Sequence, residues 1–339
     1  MNNSTEQLVR KLSASYGFDQ VRFAAANPPA GIDAYDRFLA EGRHGEMAWM
    51  IRSRDPRADP RSLLEDAKSV IVLGMRYTHP IPPDPGGLTG RVARYAWGRD
   101  YHNHIGKRLQ RLTRDLREAI PGLDTYAGVD SRPLIERAWA QAAGLGFIGK
   151  NAMSILPGQS SYFFLAAIIV NIALEPNVPL GDHCGSCDRC LVACPTRAFT
   201  APGELDARRC ISYLSIEHKG IIADELKPLM GRWVFGCDVC QEVCPHNPNE
   251  EPAAHDDFAP RPGHAWLDLR WLMSTTDADI AQKFVGSPIR RAGPDCLRRN
   301  GAIVLGNLGD PSAIPLLEPL VDHPDEATRD AVSWALNKL

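Results

Sequence analysis

The sequence predicts an α+β protein made of three consecutive parts: a mixed α/β unit, a cysteine-rich unit and a helical tail. Three observations lead to this prediction. Apolar strand-like runs alternate with helical patterns up to about residue 178, eight of the nine cysteines lie between residues 184 and 244, and amphipathic helical segments fill the chain from Pro288. With 339 residues, of which 44% are hydrophobic and 23% charged, the chain is long enough to bury a sizeable core in two or three domains.

The first unit contains three helical patterns and three strand patterns. "TEQLVRKLSASYG" indicates a short helix that ends at Gly17, and "SVIVLGMRY" indicates a buried strand. Apolar residues then recur at helical spacing from Ile105 until Pro121 ends the helix. "TYAGV" indicates a strand that ends at Asp130, and a helix over residues 133–143 leads into the glycine-rich loop "GLGFIGKN" and the buried strand "YFFLAAIIV".

Targeting signals and net charge narrow the possible functions. The N-terminal stretch "MNNSTEQLVRKLSASYG" lacks the apolar core of a signal peptide, and "YFFLAAIIV" is too short to span a bilayer. We therefore expect a cytoplasmic protein with no membrane partner, in which clustered cysteines are metal ligands rather than disulfides. The net charge of −3 excludes a global attraction to nucleic acid, so any basic surface must be local.

Two cysteine runs, "CGSCDRCLVACP" and "CDVCQEVCP", both end in Cys-Pro. Bacterial ferredoxin runs end in this way, and in their two-cluster form the cysteine before proline binds the opposite cluster. The pattern therefore predicts two [4Fe–4S] clusters. The first would be held by Cys184, Cys187, Cys190 and Cys244, and the second by Cys194, Cys210, Cys237 and Cys240, which leaves Cys296 without a cluster.

The cysteine pattern has one departure and one rival interpretation. Cys210 stands alone in place of the third cysteine of the second run, so it is the least constrained ligand. Pairs of the type C-x-x-C also build zinc ribbons. A zinc ribbon, however, has no use for the third cysteine of the first run or for the Cys-Pro endings.

The tail contains an internal similarity. "RRNGAIVLGNLGD" at 298–310 and "TRDAVSWALNKL" at 328–339 align at an offset of 30 residues, with the amphipathic segment "PSAIPLLEPLVD" between them. Helix–turn–helix units repeated in this way predict a short α-solenoid. The alternative is an ordinary terminal helical hairpin.

Two sequence motifs concern the cofactor that would exchange electrons with the clusters. No G-x-G-x-x-G follows a strand pattern, so a Rossmann dinucleotide site is unsupported. "DYHNHIG" is close to the D-x-H-x-x-G signature of histidine ligation to cobalt, but its glycine comes one residue late. His102 is therefore expected to be a structural or surface histidine.

Five stretches together resemble the epoxyqueuosine reductase family: "RYAWGRDYH", "VDSRPLIERAWAQAAGLGFIGKN", "CGSCDRCLVACPTRAF", "RCISYLSIEHKG" and "GCDVCQEVCPHN". The resemblance extends over nearly the whole chain. It implies a cobalamin-binding catalytic domain over 1–178, similar to that of reductive dehalogenases, and a ferredoxin-like two-cluster domain over 179–258. A connector over 259–287 and a HEAT-like helical repeat over 288–339, which binds tRNA, complete the implied architecture.

The resemblance also implies an activity. The family reduces epoxyqueuosine to queuosine at the wobble position of tRNA anticodons, using reduced cobalamin that two [4Fe–4S] clusters supply with electrons. An external donor of the flavodoxin, ferredoxin or reductase type would supply electrons to the clusters. We expect the protein to be a monomer. Asp130 in "VDSRP" matches the proposed proton donor, a role that requires burial to raise its pKa. The alternative is that Asp130 caps the helix that follows.

The remaining site residues follow from the same resemblance. Besides Asp130, the positions that match cobalamin contacts are Arg57, Ala93, Lys150, Met153, Ser154, Leu165, Ile211 and Leu214. The expected tRNA contacts are Lys219, Arg290, Arg291, Arg298 and Arg299. Two other functions stay open: a reductive dehalogenase-like reductase of a small molecule, and a non-catalytic iron–sulfur electron carrier. The arginine-rich tail argues against the first, and the 178-residue α/β domain argues against the second.

Overall fold

The computed structural model describes residues 2–247, 253 and 255–339. Its largest sheet has four strands in the order β1-β2-β7-β4. These strands are β1 (Gln20–Ala25), β2 (Ser69–Arg76), β4 (Thr125–Gly128) and β7 (Phe163–Val170). All three pairings are antiparallel, with Gln20 opposite Gly74 and Ser69 opposite Val170. The expected α/β character of the first unit is therefore corrected to α+β, because apolar runs predict burial of a strand but not the direction of its neighbour.

Helices cover both faces of this sheet. On one face lie α1 (Asn2–Ser15) and α5 (Tyr101–Ala119), and on the other lies α6 (Glu136–Ala142). Helix α5 begins four residues before the predicted start because Asp100 caps it, accepting a hydrogen bond from the His102 backbone nitrogen at 3.0 Å. Strand β4 ends two residues before Asp130, so Asp130 lies on the loop that enters α6.

The glycine-rich segment after α6 forms a tight β-hairpin, β5 (Phe147–Ile148) and β6 (Ser154–Ile155). Gly144 ends α6 with a positive φ of 64°. A Cβ on Gly146 would lie 2.7 Å from the Ser154 Oγ, so only glycine permits this approach. Between β1 and β2 the chain forms α2 (Ile32–Ala40), α3 (Ala48–Arg52) and α4 (Arg54–Ala58).

A second sheet joins distant parts of the chain. Strand β3 (Thr89–Val92) pairs with β10 (Trp233–Phe235) in parallel and with β11 (Trp266–Asp268) in antiparallel fashion. One apolar core extends from Leu88 in the first unit to Ala335 in the tail. The three consecutive parts of the sequence therefore contribute side chains to one common apolar core.

The cysteine-rich segment has little regular structure. It contains α7 (Arg189–Ala193), β8 (Phe199–Ala201), β9 (Glu204–Leu205), α8 (Ile211–Ile216) and α9 (Val239–Glu242). In the first cysteine run, α7 ends directly before the Cys-Pro pair, and in the second run α9 ends one residue earlier. No helix in the described ranges has both the length and the apolar character that crossing a membrane requires.

The tail contains α10 (Leu269–Ser274), α11 (Asp277–Lys283), α12 (Pro294–Leu308), α13 (Ile314–Leu317) and α14 (Glu326–Leu336). The two similar segments correspond to α12 and α14, which pack against each other where Gly306 meets Trp334. The segment between them forms only one α-helical turn flanked by 3₁₀ turns. Helix α12 is buried from Cys296 to Gly306, so it is a central core helix of the molecule.

Candidate functional site

Four cysteines from both runs surround one cavity. Cys184, Cys187, Cys190 and Cys244 line a cavity of about 220 Å³. Cys244 reaches it because α7 and α9 lie side by side, so that the end of the second run meets the first. Lys150, Asn151 and His246 complete part of the wall.

The other four cysteines influence one another electrostatically. Burial raises the pKa of Cys210, and the Cys194 thiol raises it further. Burial likewise raises the pKa of Cys240 strongly, with further contributions from Cys210, Cys190 and Cys194. Burial also raises the pKa of Cys237, to which Cys210 and Cys240 add. Cys194, Cys210, Cys237 and Cys240 therefore lie near one another, and Cys190 lies near enough to act across the two groups.

The donor sets fit iron–sulfur clusters. Cluster iron binds deprotonated thiols, and repulsion between neighbouring thiolates opposes that state until cations balance the charge. Among the described residues, no three His, Cys, Asp or Glu side chains are grouped so as to hold a single metal ion. A cluster with several iron atoms takes thiols that are spread around a cavity, as those of Cys184, Cys187, Cys190 and Cys244 are.

A second constellation surrounds Asp130. His102 lies between two carboxyl groups: its Nε2 is 2.8 Å from Asp130 Oδ1 and its Nδ1 is 2.8 Å from Asp100 Oδ1. The Tyr101 hydroxyl donates a hydrogen bond to Asp130 Oδ2. The Tyr101 ring is stacked between Phe164 at 4.2 Å and His102 at 4.1 Å, which fixes its position.

The charge state of Asp130 differs from the expected one. Burial raises the pKa of Asp130, but the hydrogen bond and charge of His102, the Tyr101 hydroxyl and the charge of Arg291 together hold it below its ordinary value. The condition that the sequence sets for a proton donor, a pKa raised by burial, is therefore not met in this structure, because the partners of Asp130 outweigh desolvation. The alternative of a helix cap is wrong, since Ile135 occupies the N-cap position of α6 and no side chain caps it.

His102 carries the positive charge of this constellation. Burial lowers the pKa of His102, but its hydrogen bonds and charge attraction to Asp100 and Asp130 outweigh this and raise it to about 9. The sequence predicted a structural or surface histidine here, and in the fold His102 is partly buried and paired with two carboxyl groups. The signal was present in "RDYH", where Asp100, Tyr101 and His102 are adjacent, but only the fold brings Asp130 to them.

Comparison with known proteins identifies the family. Residues 183–247 match the family model described as "4Fe-4S double cluster binding domain", and residues 57–131 match "Epoxyqueuosine reductase QueG, DUF1730". An epoxyqueuosine reductase of Pseudomonas aeruginosa is 40% identical over 98% of this chain and 94% of its own length. The chain belongs to the epoxyqueuosine reductase family. It is accordingly an oxidoreductase with an iron–sulfur domain, which sets aside the zinc ribbon and the non-catalytic carrier.

Solved structures of the epoxyqueuosine reductase family share the fold. A structure of epoxyqueuosine reductase with an epoxyqueuosine-modified tyrosine tRNA stem loop superposes with a TM-score of 0.91 at 32% identity, covering 100% of this chain and 91% of the other. The structure of epoxyqueuosine reductase from Streptococcus thermophilus superposes with a TM-score of 0.88 at 29% identity, covering 98% of this chain and 90% of the other. The mixed α+β architecture is thus that of the family.

The residues that the sequence resemblance predicts as cobalamin contacts lie in several elements. Arg57 donates hydrogen bonds to the Leu134 carbonyl and, at 2.9 Å, to Ser53 Oγ. Lys150 donates from Nζ to the Gly185 carbonyl at 2.7 Å, beside the four-thiol cavity. The other positions are Ala93 before a 3₁₀ turn, Met153 and Ser154 in the β5–β6 hairpin, Leu165 on β7, and Ile211 and Leu214 on α8, directly after Cys210.

Two buried polar side chains lie near these positions. Within the described part of the chain, the Ser154 Oγ and the Glu136 Oε1 are buried without a hydrogen-bond partner. Burial raises the pKa of Glu136 to about 8, with an added contribution from Asp130, so this carboxyl keeps its proton at neutral pH. A ligand rich in amide groups, as a corrin is, would satisfy both atoms.

The arginines of the tail divide into two kinds. Arg298 and Arg299 are only 4% and 1% exposed. Arg298 pairs with Asp277, and Arg299 donates to the carbonyls of Leu214, His218 and Gly220 at 2.6–2.9 Å. The expectation that Arg298 and Arg299 contact tRNA is therefore corrected, because both are committed to internal acceptors.

Lys219, Arg290 and Arg291 are exposed. Arg291 pairs with Glu217 at 2.9 Å, and its charge also acts on Asp130. Lys219 donates to the Ala292 carbonyl at 2.9 Å, so these three residues form one surface. This surface borders the Asp130 constellation.

Proposed function

We propose that this chain reduces epoxyqueuosine to queuosine in tRNA, with cobalamin and two [4Fe–4S] clusters as cofactors. The observation that carries the proposal is the likeness over the whole chain to epoxyqueuosine reductases, one of them solved with an epoxyqueuosine-modified stem loop. A reductive dehalogenase-like activity on a small molecule finds no comparable support.

We assign the first cluster to Cys184, Cys187, Cys190 and Cys244 and the second to Cys194, Cys210, Cys237 and Cys240. The four-thiol cavity supports the first set, and the mutual influence of the thiols on their pKa values supports the second. When bound, the clusters supply single-electron transfer. Val192, between Cys190 and Cys194, is 77% exposed, which favours this side for an external electron donor.

Cobalamin would be held by Arg57, Ala93, Asp130, Lys150, Met153, Ser154, Leu165, Ile211 and Leu214. The buried, unpartnered Ser154 Oγ supports this assignment among the described residues, as does the position of Ile211 and Leu214 directly after Cys210. When bound, cobalamin supplies the reducing power of low-valent cobalt at the epoxide. The residues named would orient the ring, and the apolar members would exclude water from it.

Asp130 is the proposed proton donor to the epoxide oxygen. Its side chain is 49% exposed, which leaves part of the carboxyl open to a substrate. A structure of the Bacillus subtilis epoxyqueuosine reductase, with a TM-score of 0.91 at 32% identity, is described with an aspartate-bearing catalytic loop swung out of the active site. Asp130 likewise lies on a loop, between β4 and α6.

The tRNA would contact the surface of Lys219, Arg290 and Arg291, which are exposed and border Asp130. Phosphate contacts of this kind require only local positive charge. We retain the division into a cobalamin domain over 1–178, a two-cluster domain over 179–258, a connector over 259–287 and a HEAT-like tail over 288–339. We further propose a monomer that works in the cytoplasm, where its cysteines stay reduced.

The proposal is tested with protein that is purified anaerobically and reconstituted with iron, sulfide and cobalamin. Incubation with epoxyqueuosine-containing tRNA and a low-potential reductant should yield queuosine, detected by mass spectrometry of the nucleosides. Protein without cobalamin is the control and should give none. Absence of queuosine from the fully loaded protein would contradict the proposal.

A further inference from the structure

The ionised state of Asp130 raises a chemical problem that the rest of the constellation answers. A carboxylate cannot donate a proton, and the partners of Asp130 hold its pKa below the ordinary value. The proton that opens the epoxide must therefore reach Asp130 from a neighbour. Two side chains contact the carboxyl: His102 at Oδ1 and Tyr101 at Oδ2.

The geometry selects His102. Each of its ring nitrogens is 2.8 Å from a carboxylate oxygen, Nδ1 from Asp100 and Nε2 from Asp130. The pKa values of Asp100 and Asp130 are both held below the ordinary value, and ionised carboxylates only accept hydrogen bonds, so both ring nitrogens carry hydrogen and the ring is an imidazolium. A neutral imidazole would place a lone pair against one of the two carboxylates.

Tyr101 has a different role. Burial and the charge of Asp130 raise its pKa well above the ordinary value, so it keeps its proton. Its ring is held between Phe164 and His102, and its hydroxyl fixes the second oxygen of Asp130. Tyr101 thereby orients the carboxyl.

We propose that Asp100, His102 and Asp130 form a proton relay in which His102 stores the proton that Asp130 delivers to the substrate oxygen. This inference rests on the proposed role of Asp130. Asp100 is a positioning residue that fixes the ring and stabilises its charge. Asp130 joins His102 to the open, half-exposed edge of the site.

The relay balances the reaction. Conversion of an epoxide into an alkene and water consumes two electrons and two protons, and the electrons come from the external reductant. As the first C–O bond breaks, its electron pair goes to oxygen and the two electrons of the reductant go to the carbon, while Asp130 takes a proton from His102 Nε2 and passes it to that oxygen. When the hydroxyl then leaves with the electron pair of the second C–O bond, the two electrons on carbon form the C=C bond. His102, now neutral, is reprotonated from solvent, and a second passage supplies the proton with which the hydroxyl leaves as water.

The relay predicts an unusual pH profile. The charged groups that face it are Asp100, Asp130 and Arg291, with Glu217 paired to Arg291, while Tyr101 is neutral. Since the pKa of His102 is raised to about 9, wild-type turnover should persist to that pH and fall above it. In His102→Gln, Asp130 must take its proton directly from solvent, so the loss of activity should be about a hundredfold greater at pH 7 than at pH 5, because an ordinary aspartate carboxyl is protonated about a hundredfold more often at pH 5.

The test measures single-turnover rates of loaded enzyme from pH 5 to pH 9.5 for wild type, His102→Gln and Asp100→Asn. Asp100→Asn should move the upper limb of the pH profile to lower pH, because the ring loses one of the two carboxylates that raise its pKa. His104→Gln is the matched control, because His104 lies on the same helix but faces Asp257 at 3.4 Å. If the pH–rate profile of His102→Gln has the same shape as that of the wild type, whatever its absolute rate, the relay is overturned.

A second measurement is independent of turnover. NMR titration of histidine-labelled protein, with the His102 signal assigned by its loss in His102→Gln, should give a pKa near 9 in the wild type. Titration near the ordinary value would overturn the relay even if the enzyme is active. Failure of wild-type protein to produce queuosine would instead contradict the proposed function, so the two failures are distinguishable.

Discussion

The cysteine region and the Asp130 constellation achieve charge balance in opposite ways. In the cysteine region, burial raises the pKa of the thiols and neighbouring thiols raise it further, so the ligand state needs cations from outside the chain. In the Asp130 constellation, two carboxylates flank one imidazolium and Arg291 lies nearby, so the charges are balanced by the chain itself. The comparison teaches that the electron-carrying region depends on its cofactors, whereas the proton-carrying region is preorganised without them.

The largest effect should come from removing a ligand of the buried cysteine group. Cys240→Ala should abolish turnover and about halve the bound iron if each cluster has four thiolate ligands. Iron analysis and electron paramagnetic resonance of reconstituted protein measure this. Cys296→Ser is the control, since Cys296 is buried outside both groups and bonds to the Ser215 carbonyl. Full iron content in Cys240→Ala would contradict the assignment of Cys240 as a cluster ligand, and with it the contrast between the two regions.

The assignment of Cys244 is sharpened by a pair of variants. Cys244→Ala should remove the cluster bound by Cys184, Cys187 and Cys190, because these thiols share its cavity. Cys194→Ala should remove the other cluster. Spectroscopy of the cluster that remains should therefore differ between the two variants, and identical spectra would show that the groups are assigned incorrectly.

Asp130→Asn tests the preorganised region with the cysteine region intact. The variant should fold and bind both clusters, yet lose about 10²–10⁴-fold in turnover, since an amide has no proton to transfer. Asp124→Asn, at the other end of β4, is the matched control, because its side chain only accepts a bond from the Thr125 nitrogen. Near-normal turnover by Asp130→Asn would remove it from the catalytic role.

The exposed and buried arginines of the tail should respond differently. The double variant Arg290→Glu/Arg291→Glu should weaken tRNA binding and flatten its salt dependence, by roughly 0.7–0.9 in log–log slope for each lost phosphate contact. Arg299→Ala should lower the free energy of unfolding, because it leaves buried carbonyls without a hydrogen-bond donor. A buried carbonyl left unpaired costs about 1–3 kcal/mol. Filter binding and urea unfolding separate the two effects; unchanged tRNA affinity in the double variant would assign Arg290 and Arg291 to a solvated face.

The smallest expected effect is on the pH dependence of stability. The pKa of His102 is raised in the folded protein to about 9, above the unfolded value near 6.5, so its stabilisation is complete below about pH 6.5 and is lost as pH rises through about 9. The melting temperature of wild type should therefore exceed that of His102→Gln at pH 6, and the difference should shrink at pH 9.5. A constant difference would contradict an imidazolium in the folded state.

The sequence by itself determined the features that depend on short-range spacing. The cysteine runs predicted an iron–sulfur domain, because cysteines separated by two residues can wrap one cluster whatever the rest of the chain does. The runs "SVIVLGMRY" and "YFFLAAIIV" predicted β2 and β7, because continuous apolar segments of this length are buried strands. The motif set likewise identified the family.

Only the tertiary structure decided the features that depend on long-range contacts. The antiparallel order of the sheet, the burial of Arg298 and Arg299 and the pairing of His102 with Asp130 each join residues far apart in the chain. Side-chain type shows that an arginine is charged but not whether carbonyls of another segment surround it, as those of Leu214, His218 and Gly220 surround Arg299. For the same reason the sequence could not show the charge state of Asp130, which depends on the His102 Nε2 that the folded chain places 2.8 Å from its carboxyl.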